Sequence, residues 1–229
     1  MLVPDTCGVS LNLSEFLSDI AMEISKAPAL DLSSLNTSQT VLIIVDMVGG
    51  FAREGALASP RVGALISPIA SLAAACNTAG IPVLALADCH TQDSIELQSF
   101  PPHCLRETEE SAVCAEIAGA CDYTLIEKNS TNGFIEPIFE IWLKANSSVN
   151  TFLVVGDCTD ICVQQFAVTA KTWYNTRDIP SRILVSVPLV DTYDAPGHNG
   201  DILNLVSLRM MQTAGVELCG DILYDNGKD

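Results

Sequence analysis

Short apolar runs alternate along this sequence with longer segments in which apolar residues recur every third or fourth position. The runs are rich in Val, Ile and Leu, which is typical of strands buried on both faces of a sheet, and the spaced segments predict amphipathic helices. The predicted strands cover residues 41–45, 81–87, 123–127, a run that starts at 151, 182–187 and 216–219, and the predicted helices cover residues 13–25, 60–79, 111–118, 137–145, 162–174 and 201–213. This alternation predicts a three-layer α/β/α fold around a mostly parallel six-stranded sheet.

The length of the chain suits one hydrophobic core, and its composition gives no reason to divide it. At 229 residues we expect a single domain over the whole chain. Within that domain, residues 1–39 are expected to form an N-terminal helix and a linker. Residues 40–229 then form the core that carries the chemistry.

Charge and cysteine content narrow the classes of function. The chain has 11 Lys and Arg and a net charge of −17, so it lacks the clustered cations that bind nucleic acid or anionic lipid. No apolar stretch approaches the roughly 18 residues of a membrane span. The nine cysteines are odd in number and irregularly spaced, and the first residues lack the pattern of a secretion signal. We expect a soluble cytoplasmic protein with reduced thiols and without nucleic-acid or membrane partners.

Reactive side chains follow several of the predicted strands. Asp46, Asp88 and Lys128 each come directly after an apolar run, and Cys162 lies a few residues past another. Because the carboxyl ends of parallel strands share one edge of a sheet, we expect these four groups to lie close together. Any one of them alone is more often a polar strand end that faces water. Their coincidence favours a reactive site.

Cys162 is the candidate nucleophile. If Thr159 or Asp160 caps the helix that follows, the thiol lies in the first helical turn, where the helix dipole favours the thiolate. Asp46 is placed to accept the thiol proton, and Lys128 to hold the negative charges, which gives an Asp–Lys–Cys triad. A lone cysteine at such a turn is more often a small buried residue, so this interpretation depends on its partners.

The long irregular segment over residues 88–110 holds a candidate metal site, since loops of this length in compact domains are usually functional. Its candidate ligands are Asp88, His90, Glu96 and His103. Two imidazoles with carboxylates suit Zn²⁺, Fe²⁺ or Mn²⁺. The alternative is an acidic loop with two surface histidines, and spacing alone does not separate the two interpretations. Cys89, Cys104 and Cys114 are competing ligands, and His198 is interpreted as a loop residue without an assigned role.

Four motifs taken together resemble those of the nicotinamidase and isochorismatase-like cysteine hydrolases. They are Val-Asp46-Met-Val-Gly-Gly-Phe51, Asp88-Cys-His90 with Phe100-Pro-Pro-His103, Glu-Lys128, and Gly156-Asp-Cys-Thr-Asp-Ile-Cys162-Val. The resemblance extends over about residues 40–219 and is strongest to the nicotinamidase branch, because the Asp-x-His and Phe-x-x-His pair accompanies the metal site of that branch.

The resemblance implies a role for each of these residues. It assigns the triad to Asp46, Lys128 and Cys162, the metal site to Asp88, His90 and His103 with Glu96 as a further ligand, and the aromatic walls around a pyridine ring to Phe51 and Phe100. It also implies a cis peptide before Cys158, with the backbone N–H groups of Cys158 and Cys162 as the oxyanion hole. Zinc is the first expectation for the metal, with iron or manganese as alternatives.

The implied activity is the metal-dependent hydrolysis of nicotinamide to nicotinate and ammonia through a thioester on Cys162. Homo-oligomers are common in such a family and are an expectation here. Two alternatives stay open at this stage. One is a cysteine hydrolase of another small carboxamide or of the isochorismatase type, and the other is a non-catalytic metal-binding or protein-binding module with the same fold.

Overall fold

The structure is a computed structural model that describes residues 12–224. The strands of this part are β1 (Leu30–Asp31), β2 (Thr40–Val45), β3 (Val83–Asp88), β4 (Thr124–Lys128), β5 (Thr151–Gly156), β6 (Arg182–Val190), β7 (Glu217–Cys219) and β8 (Ile222–Leu223). Its α-helices are α1 (Leu13–Ile24), α2 (Gly49–Ala52), α3 (Pro60–Gly63), α4 (Ile66–Thr78), α5 (Ala115–Ala118), α6 (Pro137–Ala145), α7 (Gln164–Asn175) and α8 (Gly200–Thr213).

Six of these strands form one sheet in the order β4-β3-β2-β5-β6-β7. Every neighbouring pair in this sheet is parallel, which confirms the predicted six-stranded α/β fold. The chain builds outward from β2 to β4, returns to β5 beside β2, and then builds outward in the other direction. The strand order therefore reverses between the paired strands β2 and β5. Ligands of such sheets bind outside the carboxyl ends of the strands at that point.

Each face of the sheet carries its own hydrophobic core. On one face α1, α6, α7 and α8 pack over the sheet, and Phe134, Phe139 and Phe166 form an aromatic cluster there. On the other face α2 to α5 contribute residues such as Ile69 and Ile117. The predicted three layers are thus confirmed, and β2, β3 and β5 are buried along their whole length because both of their faces are covered.

The N-terminal helix lies on the main body, where its apolar face is buried. Ile20 and Ile24 of α1 are buried in the first of these cores. Arg209 of α8 forms an ion pair with Glu23 at 2.8 Å. The linker that follows contains a short strand, since its Leu30 and Asp31 form β1 and pair in parallel with β8.

Several predicted boundaries are wrong. The helix predicted over residues 60–79 is divided into α3 and α4 by a tightened turn in which Ala64 and Leu65 keep right-handed helical dihedral angles. The helix predicted over 111–118 is reduced to α5. The backbone before α5 lies instead beside the loop that follows β2. There the N–H of Cys114 donates to the carbonyl of Met47, and the N–H of Gly49 donates to the carbonyl of Ala112, each at 3.0 Å.

The fifth strand of the sheet is longer than the predicted 182–187. β6 continues through Pro188 to Val190, and its pairing with β5 is irregular there, since Val154 pairs with Val185 whereas Gly156 pairs with Val190. Proline is tolerated in a strand at such an irregularity, because the missing N–H falls outside the regular ladder. The extension carries the following loop up to the edge where the candidate site lies.

No helix within residues 12–224 has the length and hydropathy of a membrane span. The expectation of one domain over residues 1–229 stays a prediction, since residues 1–11 and 225–229 lie outside the described part.

Candidate active site

A close approach of β5 to β2 brings the predicted nucleophile to the predicted base. A Cβ atom on Gly156 would lie 2.0 Å from the carbonyl oxygen of Val45, and the φ of Gly156 is +113°, so only glycine fits there. The N–H of Asp157 then donates to the same Val45 carbonyl at 3.0 Å. This contact fixes the turn that leads to Cys162 directly beside Asp46.

The three residues of the predicted triad meet at this point. The Lys128 Nζ atom lies 2.8 Å from Asp46 Oδ2 and 3.8 Å from Cys162 Sγ. It also forms an ion pair with Asp88 and donates to the carbonyl of Ser130 at 3.1 Å. All three triad side chains are buried. The arrangement predicted from the strand ends is therefore present in the structure.

Asp46 is held from both sides. Its backbone adopts a left-handed conformation with φ of +51°, which aspartate tolerates better than most residues, and its N–H donates to Leu86 at 2.9 Å. Its Oδ1 accepts the N–H of Asp88 at 2.9 Å, so the carboxylate also joins β2 to the end of β3. The second oxygen is left to face Lys128.

Burial controls the protonation of these groups. Burial and the nearby Asp88 raise the pKa of Asp46 to about 7, although Lys128 opposes the shift. Burial disfavours the charge of Lys128, but the carboxylates of Asp46 and Asp88 outweigh it and raise the lysine pKa. A carboxyl whose pKa lies near neutrality suits a general base, and a permanently charged lysine suits a partner for developing anions.

The local expectation for Cys162 was wrong in two respects. Its turn is a π-helical segment (Thr159–Val163) that leads into α7, and neither Thr159 nor Asp160 caps it with a side chain. Burial raises the pKa of Cys162, and Lys128 only partly offsets this effect. The place of Cys162 on the helix therefore does not by itself favour the thiolate, and its activation by Asp46 and Lys128 stays a prediction.

The peptide bond between Asp157 and Cys158 is cis, as the resemblance implied. Among residues 12–224, no carbonyl or side chain accepts the N–H of Cys158. A free N–H beside the nucleophile is consistent with an oxyanion hole. The assignment of that role to the N–H groups of Cys158 and Cys162 stays a prediction.

Asp88, His90 and His103 form a compact group of potential metal ligands. One ligand atom from each lies within 4.8 Å of the others, and all three residues are buried. The two His Nε2 atoms lie 3.6 Å and 3.5 Å from the oxygens of Asp88. Cys89, Cys104 and Cys114 do not belong to any such group among the described residues.

The second nitrogen of each imidazole is already used. His90 Nδ1 lies 3.1 Å from the side-chain oxygen of Asn129, and His103 Nδ1 lies 2.8 Å from the carbonyl oxygen of Pro101. Since both partners are acceptors, Nδ1 carries the proton and Nε2 keeps a lone pair, which is the usual arrangement of a metal-bound histidine. His90 Nε2 is buried without a hydrogen-bond partner in the described structure. The residues present therefore fit a divalent cation.

One cavity connects the two groups of residues. Asp46 and Cys162 line it together with Asp88 and His103, and so do the predicted walls Phe51 and Phe100 and the predicted ligand Glu96. The ring centroids of Phe51 and Phe100 lie 5.5 Å and 6.0 Å from that of His103. Glu96 faces the cavity but lies outside the compact ligand group, so its role as a metal ligand stays a prediction.

Other cavity residues were not found from the sequence. They are Leu57, Thr131, Asp157, Ile161 and Tyr193. Tyr193 was missed because the strand predicted before it ended at residue 187. With β6 extended to Val190, Tyr193 falls three positions beyond a strand end, which is the signal that identified the triad residues.

Known proteins resemble this chain in sequence and in fold. The isochorismatase domain family matches residues 40–172, which contain Asp46, Lys128 and Cys162. The chain belongs to the isochorismatase family of cysteine hydrolases. This membership confirms the resemblance described above.

Individual proteins show how far the likeness extends. Nicotinamidase 1 of Arabidopsis thaliana is 28% identical over 227 residues, which cover 83% of this chain and 90% of that protein. An N-carbamoylsarcosine amidase from Thermoplasma acidophilum has a TM-score of 0.66 at 24% identity, covering 83% of this chain and 98% of its own. A pyrazinamidase of Pyrococcus horikoshii in complex with zinc has a TM-score of 0.63 at 19% identity, covering 80% of this chain and 99% of its own. The two structures share the fold of this chain.

Proposed function

We propose that this chain is a nicotinamidase, which converts nicotinamide to nicotinate and ammonia. The observation that carries the proposal is a single cavity lined by Asp46 and Cys162 of the triad and by Asp88 and His103 of the ligand group. These two groups match the carboxamide and the ring nitrogen of nicotinamide. The similarity to Nicotinamidase 1 of Arabidopsis thaliana supports the same substrate.

The first half of the proposed reaction forms a thioester on Cys162. Asp46 accepts the thiol proton, and the sulfur attacks the carboxamide carbon. Lys128, in contact with both groups, holds the negative charge as it passes from carboxylate to sulfur. The N–H groups of Cys158 and Cys162 donate to the carboxamide oxygen, and loss of one such donor usually costs about 3 kcal/mol in the transition state.

The second half of the reaction returns the enzyme to its starting state. Asp46 gives its proton to the departing nitrogen, the C–N bond breaks and ammonia leaves. Asp46 then takes a proton from a water molecule, which attacks the thioester carbon. The C–S bond breaks, nicotinate is released, and the proton on Asp46 returns to Cys162.

A bound cation would orient the substrate in this scheme. Asp88, His90 and His103 would hold it, with Glu96 as a further ligand, directly or through water. Zinc is the proposed metal because it suits two imidazoles and a carboxylate, and Fe²⁺ or Mn²⁺ fits the same donors. It would supply a Lewis-acid contact for the pyridine nitrogen, while Phe51 and Phe100 enclose the ring.

The setting of the enzyme follows from the same residues. We propose a cytoplasmic location, since the eight described cysteines are free thiols, which suits a reducing compartment. We also propose that the reaction serves nicotinamide-nucleotide salvage. A single domain over residues 1–229 and a homo-oligomeric assembly complete the proposal.

Ammonia release from nicotinamide tests the proposed function. The purified chain loaded with zinc is compared with the chelated protein and with Cys162→Ala, and benzamide serves as a matched substrate that lacks the ring nitrogen. We expect turnover of nicotinamide, a marked loss after chelation, a much slower reaction with benzamide, and no turnover by Cys162→Ala.

Each contrary result removes a specific part of the proposal. Turnover that survives Cys162→Ala would rule out the thioester. Equal rates with benzamide, or indifference to complete metal removal, would rule out anchoring of the ring nitrogen. Turnover of other small carboxamides without nicotinamide would indicate a different amidase, and no turnover of any amide would indicate a binding module.

A further inference from the structure

The loop between β6 and α8 contributes a third aromatic wall to the cavity. Tyr193 of this loop lines the cavity with Phe51 and Phe100 and is half-buried. The triad and the metal-ligand group do not use Tyr193. Its position depends on a loop of nine residues, 191–199, and the contacts of that loop show how the ring is held.

His198 holds the Tyr193 ring by two separate contacts. The two rings are stacked, with centroids 3.8 Å apart and an interplanar angle of 8°. His198 Nδ1 also lies 2.9 Å from the backbone carbonyl oxygen of Tyr193. The imidazole thus fixes both the ring plane and the backbone of the same tyrosine.

The other side of His198 contacts the nucleophile's turn. His198 Nε2 lies 2.9 Å from Asp160 Oδ2, and both side chains are mostly buried, with 16% and 11% of their surfaces exposed. Asp160 belongs to the π-helical segment that carries Cys162. A second link joins the same two segments, because the N–H of Thr159 donates to the carbonyl of Asp191 at 3.0 Å.

Arg61 fixes the two ends of the loop. Its guanidinium contacts Asp191 and Asp201, each at 2.7 Å, and donates to the carbonyl of Thr192 at 2.9 Å. These contacts secure the loop where it leaves β6 and where it enters α8. Asp194, next to Tyr193, accepts the N–H of Gly200 at 2.7 Å and lies 3.5 Å from Arg61, so the backbone there is secured as well. The plane of the Tyr193 ring is left to His198, which Asp160 holds.

We propose that His198 is a positioning residue that joins Asp160 to Tyr193, and that Tyr193 is thereby a specificity residue that limits the cavity to carboxamides with a single aromatic ring. The inference rests on the proposed function for its reference substrate. Without the stacked imidazole the Tyr193 ring gains rotational freedom, and the side of the cavity that it closes becomes wider.

Kinetics with two amides of different width test this role. Nicotinamide and quinoline-3-carboxamide share the ring nitrogen and the carboxamide, but the second carries a fused ring. We expect Tyr193→Ala and His198→Ala each to raise the kcat/KM of the wide amide relative to nicotinamide by about tenfold or more, chiefly through a higher KM for nicotinamide. The double variant should add little beyond either single change, because both act on one wall.

A matched control separates the effect on cavity width from an effect on the stability of the fold. Arg182→Gln removes an exposed ion pair with Glu217 at the opposite edge of the sheet and should leave the ratio of the two amides unchanged. If His198→Ala lowers kcat equally for both amides, or lowers only the melting temperature, the residue is merely structural and the inference is wrong. Additive effects in the double variant would also overturn it.

Alkylation of Cys162 tests the wall without turnover. The rate of labelling by iodoacetamide is compared with that by a naphthyl iodoacetamide, with the site read by mass spectrometry. We expect both variants to accelerate the bulky reagent selectively. Failure of the wild type to hydrolyse nicotinamide would overturn the proposed function, whereas unchanged alkylation ratios would overturn the role of His198.

Discussion

The two ends of the cavity are built in different ways. At the inner end, Asp46 and Lys128 are carried by the ends of β2 and β4, where the strand ladders fix the backbone, and Cys162 is carried by the turn after β5. At the outer end, named for its loops and not for its exposure, His90, His103 and Tyr193 lie in loops, where side chains such as Asn129 and His198 fix them. Asp88 ends β3 and is shared by the two ends. We infer that changes at the inner end cost both stability and chemistry, whereas changes at the outer end cost chiefly ligand affinity.

Loss of the inner cation should have the largest effect. Lys128→Met keeps much of the side-chain length but leaves Asp46 and Asp88 buried without their common partner. Breaking a buried ion pair in this way costs about 3 to 5 kcal/mol. We expect a loss of this size in chemical denaturation, together with loss of amide turnover.

A double change separates the two effects of Lys128→Met. Adding Asp46→Asn removes one of the unpaired carboxylates and should restore part of the stability but none of the activity. If the single variant is as stable as the wild type, the inner end does not depend on this charge cluster. The two ends of the cavity would then not differ in their contribution to stability.

A steric change at the inner end comes next. Gly156→Ala places a methyl group 2.0 Å from the Val45 carbonyl oxygen at a positive φ, so the two strands must separate. Left-handed strain of about 1 to 2 kcal/mol and overpacking of about 1 to 3 kcal/mol predict a total loss of about 2 to 5 kcal/mol. Denaturant unfolding measures the change.

Gly80→Ala is the matched control for Gly156→Ala. Gly80 also has a positive φ, of +77°, but its added Cβ would meet nothing within 4 Å. It should therefore show only the left-handed strain of about 1 to 2 kcal/mol. Equal losses in the two variants would show that the contact with Val45 contributes nothing.

Features that follow from local pattern were predictable from sequence, whereas features that depend on contacts between distant segments were not. Asp46 and Lys128 follow short apolar runs, and a parallel sheet brings strand ends to one edge, so local pattern was enough to place them. The role of Asp160 depends on His198, which is 38 residues away, and the local pattern indicated a helix cap instead. Tyr193 was missed for a related reason, since Pro188 hid the last residues of β6.

At the outer end, we expect a change that affects metal affinity without affecting the fold. Asn129→Ala removes the nearer partner of His90 Nδ1 and leaves only the Ser94 hydroxyl, at 3.4 Å. Loss of such a partner typically lowers metal affinity by about 10- to 100-fold. Titration calorimetry with zinc measures this directly. The free energy of unfolding without metal should be unchanged within about 0.5 kcal/mol, because Asn129 is exposed.

A large loss of metal-free stability in Asn129→Ala would contradict the division between the two ends. Asn132 offers a control nearby, since its side chain caps the turn at Phe134 and donates to Thr169 without contact with either histidine. Asn132→Ala should reduce stability and leave zinc affinity unchanged. The two asparagines therefore separate folding from metal binding within one loop.

The smallest effect is expected at Glu96, whose carboxylate lies in the same cavity but outside the compact ligand group. Glu96→Gln should lower zinc affinity by less than about tenfold, because Asp88, His90 and His103 remain and the amide oxygen can still accept a hydrogen bond. Asp93→Asn, in the neighbouring groove, controls for the loss of one negative charge. A loss of zinc affinity of 100-fold or more in Glu96→Gln alone would identify Glu96 as a full ligand. A loss equal to that of Asp93→Asn would show that Glu96 acts only through the negative charge that it adds to the loop.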